Sequence, residues 1–134
     1  MTTFTAYVDG SYSPEKHLAA AAWVILQDDE PIHQGKELVL EELSSRNITG
    51  ELQAAIKVID YCEAKGIQDI TIFHDLEGTG YWARGEWKRK KPVTQAFYSR
   101  VQDSTVRINF QWIQGHSGHF WNETVDQMAR KLLE

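Results

Sequence analysis

Five apolar stretches separated by polar turns predict a sheet of five strands. Each is rich in β-branched, aliphatic or aromatic residues, and they run from Phe4 to Val8, Ala20 to Leu26, Ile32 to Leu40, Ile70 to Phe73 and Val106 to Trp112. The first three follow one another across short polar segments, which indicates an antiparallel meander. Because Asp-Gly-Ser at 9 to 11 breaks the first stretch, we expect Asp9 at the C-terminal end of that strand.

A long helix is predicted between the third and fourth strands. The loop Ser44 to Asn47 supplies N-cap residues, and Gly66 ends the helix. Positions three and four residues apart form one stripe, which consists of Glu51, Ala54, Ala55, Val58 and Cys62. This stripe should face the sheet, so a carboxylate on it is unexpected.

Three shorter helices complete the predicted pattern. One follows Asp75, a second runs from Pro92 to about Val101, and a C-terminal helix carries Asp126. The order of strand, long helix and strand indicates a right-handed parallel crossover, which would bring Asp9 and Asp75 to the carboxyl ends of neighbouring strands. We therefore expect an α/β fold in which a five-stranded mixed sheet has helices on both faces.

Length and cysteine content limit the class of protein. With 134 residues and neither an internal repeat nor a linker, the chain is expected to form a single domain, 1–134. The single cysteine, Cys62, excludes an intramolecular disulfide and fits a reducing, cytoplasmic setting. No charged segment followed by an apolar one opens the chain, and no stretch is long enough for a membrane span, so neither a secretion signal nor a membrane partner is expected.

The formal net charge of -5 argues mildly against nucleic-acid binding, which depends on neutralising phosphates. Its distribution changes that picture. If Asp9, Glu51, Asp75 and Asp126 are covered by metal cations, 15 of the 19 acidic residues remain against 14 basic ones. Basic residues also cluster: Arg84 lies between Trp82 and Trp87, and four more follow at 88–91. Such a run is a solvated loop as often as it is a nucleic-acid contact.

The four acidic residues just named come from four separate predicted elements. Taken singly, Asp9 and Asp75 are ordinary residues at strand ends, Glu51 is a first-turn glutamate near a helix dipole, and Asp126 is a helix-surface acid. If the fold brings these four carboxylates together, their negative charges would repel one another, and bound divalent cations would remove that repulsion. Hard oxygen ligands favour Mg²⁺ or Mn²⁺, and two such ions promote phosphodiester hydrolysis.

Four motifs in order resemble those of the type 1 ribonucleases H, over residues 5 to about 133. They are Tyr-Val-Asp-Gly-Ser-Tyr at 7 to 12, Arg-Asn-Ile-Thr-Gly-Glu-Leu at 46 to 52, Ile-Phe-His-Asp at 72 to 75, and Trp-Ile-Gln-Gly-His-Ser-Gly-His at 112 to 119, followed by Asn122, Glu123 and Asp126. The resemblance implies the ribonuclease H-like fold, with strand order 3-2-1-4-5 and the first three strands antiparallel.

The resemblance also implies an endoribonuclease that cuts the RNA strand of RNA/DNA hybrids and leaves 3′-hydroxyl and 5′-phosphate ends. Asp9, Glu51, Asp75 and Asp126 would bind two Mg²⁺ ions, with Mn²⁺ as a possible substitute, and His116 would assist proton transfer or product release. A zinc site of His116, His119 and Asp126 is a weaker alternative, because it leaves the other three acids without a role.

Substrate contacts are expected from Gly10, Ser11 and Asn47, which by analogy would meet 2′-hydroxyls in the minor groove. Ile48 stands where many relatives carry a second polar residue, and Glu77 stands where some relatives carry a glutamine that contacts the groove. The segment between Asp75 and Pro92 is shorter than in relatives with a projecting basic helix. DNA contacts would then come from Trp82, Trp87, Lys88 and Lys90, unless both tryptophans simply cover the core.

Two other functions remain open at this point. A module of the same fold that binds hybrid or duplex without cutting is one, although four intact carboxylates argue against it. DNA strand transfer or exonucleolytic trimming by the same chemistry is the other. A monomer is the default expectation for the oligomeric state.

Overall fold

A computed structural model describes residues 2–40 and 46–134, apart from the Asn47 side chain. Its five strands are β1 (Phe4–Ser13), β2 (Leu18–Gln27), β3 (Glu30–Val39), β4 (Asp69–His74) and β5 (Arg107–Trp112). They form one sheet in the order β3-β2-β1-β4-β5. The first three strands are antiparallel, and β4 runs parallel to both β1 and β5. The expected α/β fold class, with strand order 3-2-1-4-5, is confirmed.

The first strand is longer than the sequence pattern predicts. β1 continues to Ser13 because its antiparallel pairing with β2 extends through Ser13 opposite Leu18, so the expected end at Asp9 is wrong. Pairing against the apolar β2 outweighs the poor strand propensity of Asp-Gly-Ser. The parallel pairing of β1 with β4 stops at Tyr7 opposite Phe73. Asp9 therefore lies in the middle of β1, two residues beyond Tyr7, which is the last residue of β1 that pairs with β4.

Four helices cover the sheet: α1 (Asn47–Lys65), α2 (Gly78–Ala83), α3 (Pro92–Asp103) and α4 (Phe120–Leu132). α1 ends at Gly66, as expected, with the left-handed φ of 72° that glycine adopts readily. At its start Arg46 makes no side-chain cap hydrogen bond. The predicted capping residues Ser44 and Ser45 lie outside the described residues.

The helices bury apolar side chains on both faces of the sheet, as expected. On one face, α1 and α3 contribute Leu52, Val58 and Phe97 to a core with Val8 and Ile72. On the other, α4 packs Val125 and Ala129 against the small side chains of β2, namely Ala20, Ala22 and Val24. Within the described ranges, no helix has the length and apolar character needed to cross a membrane.

Candidate metal centre

Three carboxylates converge where β1 and β4 separate. Asp9 comes from the middle of β1, Asp75 follows the last residue of β4, and Glu51 lies in the first turns of α1. One carboxylate oxygen from each lies within 4.8 Å of the others. Asp9 is 5% exposed and Glu51 1%, whereas Asp75 is half-buried. Few carboxylates are buried this deeply without a partner of opposite charge.

Close packing of α1 brings Glu51 into this position. A Cβ atom at Gly50 would lie 2.2 Å from the Ala20 carbonyl oxygen and 3.0 Å from the Gly10 Cα. Only glycine lets the first turn of α1 approach β1 and β2 so closely. The predicted sheet-facing stripe of α1 is also observed, because Glu51 is buried with Ala54, Val58 and the other small residues of that stripe.

Asp126 completes the predicted set from the opposite face of the sheet. It projects from α4, interacts with the Asp9 carboxyl, and lines a cavity of about 420 Å³ together with Asp9, Asp75 and His116. Arg130, one helical turn further on, pairs with it through Nε and Oδ2 at 3.1 Å. The structure thus brings together all four carboxylates that were predicted from the sequence.

The electrostatics of this group disfavour four negative charges without cations. Burial raises the pKa of Asp9 to about 9, and the Asp75 carboxylate adds to that effect. The Gly10 N–H opposes it by donating to Asp9 Oδ1 over 2.8 Å. Burial, together with the neighbouring Asp9 and Asp75, also raises the pKa of Glu51 well above its usual range. Bound divalent cations would remove this penalty.

The donor atoms fit Mg²⁺ or Mn²⁺. Each is a carboxylate oxygen, the ligand type that these hard cations prefer. Glu51 Oε1 is buried and has no hydrogen-bond partner among the described residues, which is costly unless a cation is bound there. Asp9, Glu51 and Asp75 are the only metal-sized group of such side chains in the described part of the chain, so the alternative zinc site of His116, His119 and Asp126 receives no support.

Several residues around the cluster were not predicted from the sequence to be site residues. The Thr79 hydroxyl donates to Glu51 Oε2, and Asn122 Nδ2 donates to Asp75 Oδ2 over 3.1 Å. Tyr12, Arg46 and Arg130 line the same cavity. Tyr12, Arg46 and Asn122 belong to the motifs quoted above, whereas Arg130 is marked only by its spacing from Asp126 and Thr79 only by the glycines on either side of it.

The predicted histidine and two of the predicted minor-groove residues line the same cavity. His116 is exposed and has a left-handed φ of 56°, unusual for a residue with a Cβ. Gly10 and Ser11 line the cavity with it. Ile48 packs partly buried against the core, which accounts for an apolar residue there. Nothing is described of the Asn47 side chain.

The basic segment forms an ordered loop. Arg89 donates to the Gly85 and Trp87 carbonyls at 3.1 and 3.0 Å, and its guanidinium lies 4.3 Å from the Tyr98 ring centre. Lys88 and Lys90 are exposed. Arg89 therefore holds the loop in place while the two lysines face solvent.

The two tryptophans of this segment differ in their surroundings. Trp82 is half-buried against the core. Trp87 is 43% exposed and stacks on Tyr81 at 4.8 Å between ring centres. Trp82 thus has a structural role by its packing, and Trp87 is the more available of the two to a ligand.

Known proteins share both sequence and fold with this chain. The family model described as RNase H matches residues 1–134. A ribonuclease H of Cyanothece sp. (strain PCC 7425) is 31% identical over 137 residues, covering 92% of this chain and 85% of that protein. A ribonuclease H of Roseobacter denitrificans is 33% identical over 144 residues, covering 97% and 95%.

Solved structures show the same fold at lower identity. RNase H1 from the halophilic archaeon Halobacterium salinarum NRC-1 has a TM-score of 0.80 at 20% identity and covers 98% of this chain and 97% of its own. LC11-RNase H1, solved in complex with an RNA/DNA hybrid, has a TM-score of 0.77 at 17% identity and covers 98% and 100%. The match over the whole chain confirms the resemblance carried by the four motifs, and the chain belongs to the ribonuclease H family.

Proposed function

We propose that this protein is an endoribonuclease that hydrolyses the RNA strand of RNA/DNA hybrids and leaves 3′-hydroxyl and 5′-phosphate ends. Family membership supports the reaction class. The observation that carries the proposal for this chain is the convergence of Asp9, Glu51 and Asp75, with one buried Glu51 oxygen left for a cation.

In this proposal Asp9, Glu51, Asp75 and Asp126 hold two Mg²⁺ ions, for which Mn²⁺ can substitute. Divalent cations bound by such carboxylates activate a water and stabilise the charge that develops on the scissile phosphate. Glu51 accepts a hydrogen bond from the Thr79 hydroxyl, and Asp75 accepts one from Asn122 Nδ2. Asp126 is paired with Arg130, which would be free to turn to solvent once cations neutralise the carboxylate.

His116 is proposed to move a proton at the edge of the site. Its ring is exposed, in a loop with Gly115 and Gly118, and it lines the cavity with Asp75 and Asp126. An imidazole can accept and release protons near neutral pH. It would transfer a proton to the leaving oxygen or assist product release, without binding a metal.

For the substrate, we propose that the minor groove of a hybrid lies across Gly10, Ser11 and Asn47, and that its DNA strand reaches Trp87, Lys88 and Lys90. LC11-RNase H1, a protein of the same fold, is described in complex with such a hybrid. Trp82 would support Trp87, since their rings pack edge to face at 5.8 Å. With few phosphates contacted, the salt dependence of binding is expected to be small.

We also propose that the chain works as a single domain, 1–134, and as a monomer in the cytoplasm. The one cysteine is buried and free, which suits a reducing compartment. Size-exclusion chromatography with light scattering measures the oligomeric state directly.

A panel of end-labelled duplexes tests the reaction. Purified protein is incubated with RNA/DNA, RNA/RNA and DNA/DNA of one sequence, with Mg²⁺, Mn²⁺ or chelator, and Asp9→Asn serves as the matched inactive variant. We expect internal cleavage of the hybrid's RNA strand only, with either metal. Hybrid binding without cleavage would instead indicate a binding module, and cleavage of DNA would indicate another nuclease class.

A further inference from the structure

The helix α2 places a fully buried hydroxyl beside the candidate metal centre. Its sequence begins Gly78, Thr79, Gly80, and Thr79 is 0% exposed. A Cβ at Gly78 would lie 2.7 Å from the Trp82 ring, and one at Gly80 would lie 2.8 Å from an Arg84 nitrogen and 3.2 Å from His74 Nε2. The two glycines let this turn of helix pack tightly, and Thr79 is the residue that contacts the centre.

Thr79 makes a specific contact with one of the four carboxylates. Its hydroxyl donates to Glu51 Oε2, and both side chains are at most 1% exposed. The other oxygen, Glu51 Oε1, has no hydrogen-bond partner among the residues described. The same carboxylate contributes an oxygen to the group within 4.8 Å that includes Asp9 and Asp75. One Glu51 oxygen is therefore held by the protein and the other is left free.

We propose that Thr79 is a positioning residue for the metal centre, which fixes the Glu51 carboxylate so that Oε1 is presented to a cation. This inference rests on the proposed function, because it assumes that the carboxylates bind metal. Residues that orient metal ligands by hydrogen bonds typically change metal affinity 10–100-fold when replaced. Without the hydroxyl, the Glu51 carboxylate can rotate about its last torsion, since terminal sp³–sp² torsions have broad minima.

A purely structural role for the hydroxyl has a different signature. In that case, removing it would lower the stability of the metal-free protein but leave the affinity of the folded protein for Mg²⁺ unchanged. If Thr79 positions Glu51, the affinity itself falls, and any variant that keeps the hydroxyl restores it.

The test compares Mg²⁺ binding by the whole protein and three variants, using isothermal titration calorimetry with the metal alone. Thr79→Val removes the hydroxyl and nearly keeps the shape, and Thr79→Ser keeps the hydroxyl. Thr94→Val is the matched control, because Thr94 is also buried but its hydroxyl donates to the Lys91 carbonyl at the start of α3. We expect Thr79→Val to weaken Mg²⁺ binding about 10–100-fold, and Thr79→Ser and Thr94→Val to stay within about threefold of wild type. The Mg²⁺ concentration at half-maximal hybrid cleavage should shift in parallel.

The outcomes are separable. Wild-type affinity in Thr79→Val, or an equal loss in Thr79→Val and Thr79→Ser, overturns the role of Thr79 while leaving the proposed function intact. A wild-type protein that neither binds Mg²⁺ nor cuts hybrid overturns both. If Thr79→Val does not fold, Thr79→Ala takes its place, and Mg²⁺-dependent shifts in melting temperature give a second measure of affinity.

Discussion

The Asn122 side chain donates a hydrogen bond to Asp75 Oδ2 over 3.1 Å and thereby joins α4 to the end of β4. Asn122 is 2% exposed, so water does not readily replace this bond. Asp75 is thus oriented from one face of the sheet, while Glu51 is oriented from the other by Thr79 on α2. The two faces meet at the carboxylates.

Replacing Asn122 with Ala should lower hybrid cleavage about 10–100-fold, because Asp75 would lose the group that orients it. The free energy of unfolding should also fall by about 1–3 kcal/mol, because the hydrogen bond is removed. Steady-state cleavage and urea unfolding measure the two effects. Asn109→Ala, at an exposed position of β5, is the control. Equal cleavage rates for Asn122→Ala and Asn109→Ala would show that the hydrogen bond from Asn122 to Asp75 does not contribute to cleavage.

Replacing Asp9 with Asn should abolish cleavage and stabilise the metal-free protein. The raised pKa of Asp9 in the folded state means that folding favours its protonated form. The stability associated with this group is complete below pH 3.8, the ordinary carboxyl pKa, and is lost as pH rises toward about 9. Asn cannot ionise, so at pH 8 the variant should be more stable than wild type by several kcal/mol, since the penalty grows by about 1.4 kcal/mol for each pH unit above the ordinary pKa.

Urea unfolding in chelator at pH 5 and pH 8 checks the sign of this effect. Wild type should lose stability between the two values, and Asp9→Asn should lose less. If the free energy of unfolding falls by the same amount in both proteins between pH 5 and pH 8, Asp9 is not the acid whose ionisation destabilises the fold. Retained cleavage by the variant would remove Asp9 from the metal centre.

Glu51 and Thr79 show how far the sequence could predict this centre. Periodicity along one helix places Glu51 on the stripe facing the sheet, because that pattern is local to α1. Thr79 lies 28 residues away, and its contact with Glu51 arises only when folding brings α2 beside the first turns of α1. No local pattern encodes that contact, so the sequence did not reveal it.

Asp9 and the basic loop show two other limits. The predicted end of β1 failed because pairing with β2 is a tertiary effect that overrides a short run of poor strand formers. The run of basic residues at 88–91 looked uniform in sequence, yet the structure separates Arg89, which binds backbone carbonyls, from the exposed Lys88 and Lys90.

That separation gives a prediction for substrate binding. The double variant Lys88→Gln, Lys90→Gln should have a higher KM with little change in kcat. The slope of log KM against the logarithm of the salt concentration should fall by about 2, because two phosphate contacts are lost. Lys36→Gln with Lys65→Gln removes the same charge from exposed positions on β3 and α1. KM is measured at several salt concentrations. Similar effects of the two double variants would indicate general electrostatics and not a contact with this loop.

His116→Ala should lower kcat about 100-fold at neutral pH, the lower end of the range for a positioned acid or base, and leave Mg²⁺ affinity unchanged. His119→Ala is the control, because His119 lies in the same loop at the start of α4 but is absent from the cavity lining. Single-turnover cleavage separates chemistry from product release. A loss of Mg²⁺ affinity in His116→Ala would instead make this histidine a metal ligand.

Cys62 should be almost inert in the folded protein. It is buried in the stripe of α1, and burial, with a smaller contribution from Glu63, raises the pKa of its thiol to about 11. The thiolate is the reactive form, so at pH 8 a thiol reagent should label the native protein at least about 100-fold more slowly than the protein in denaturant. The raised pKa favours folding with the thiol protonated, so this contribution to stability is complete below the ordinary pKa of 9.0 and is lost as pH rises toward 11. Labelling of the native protein as fast as that of the unfolded chain would mean that the C-terminal turns of α1 open readily and that burial does not protect Cys62.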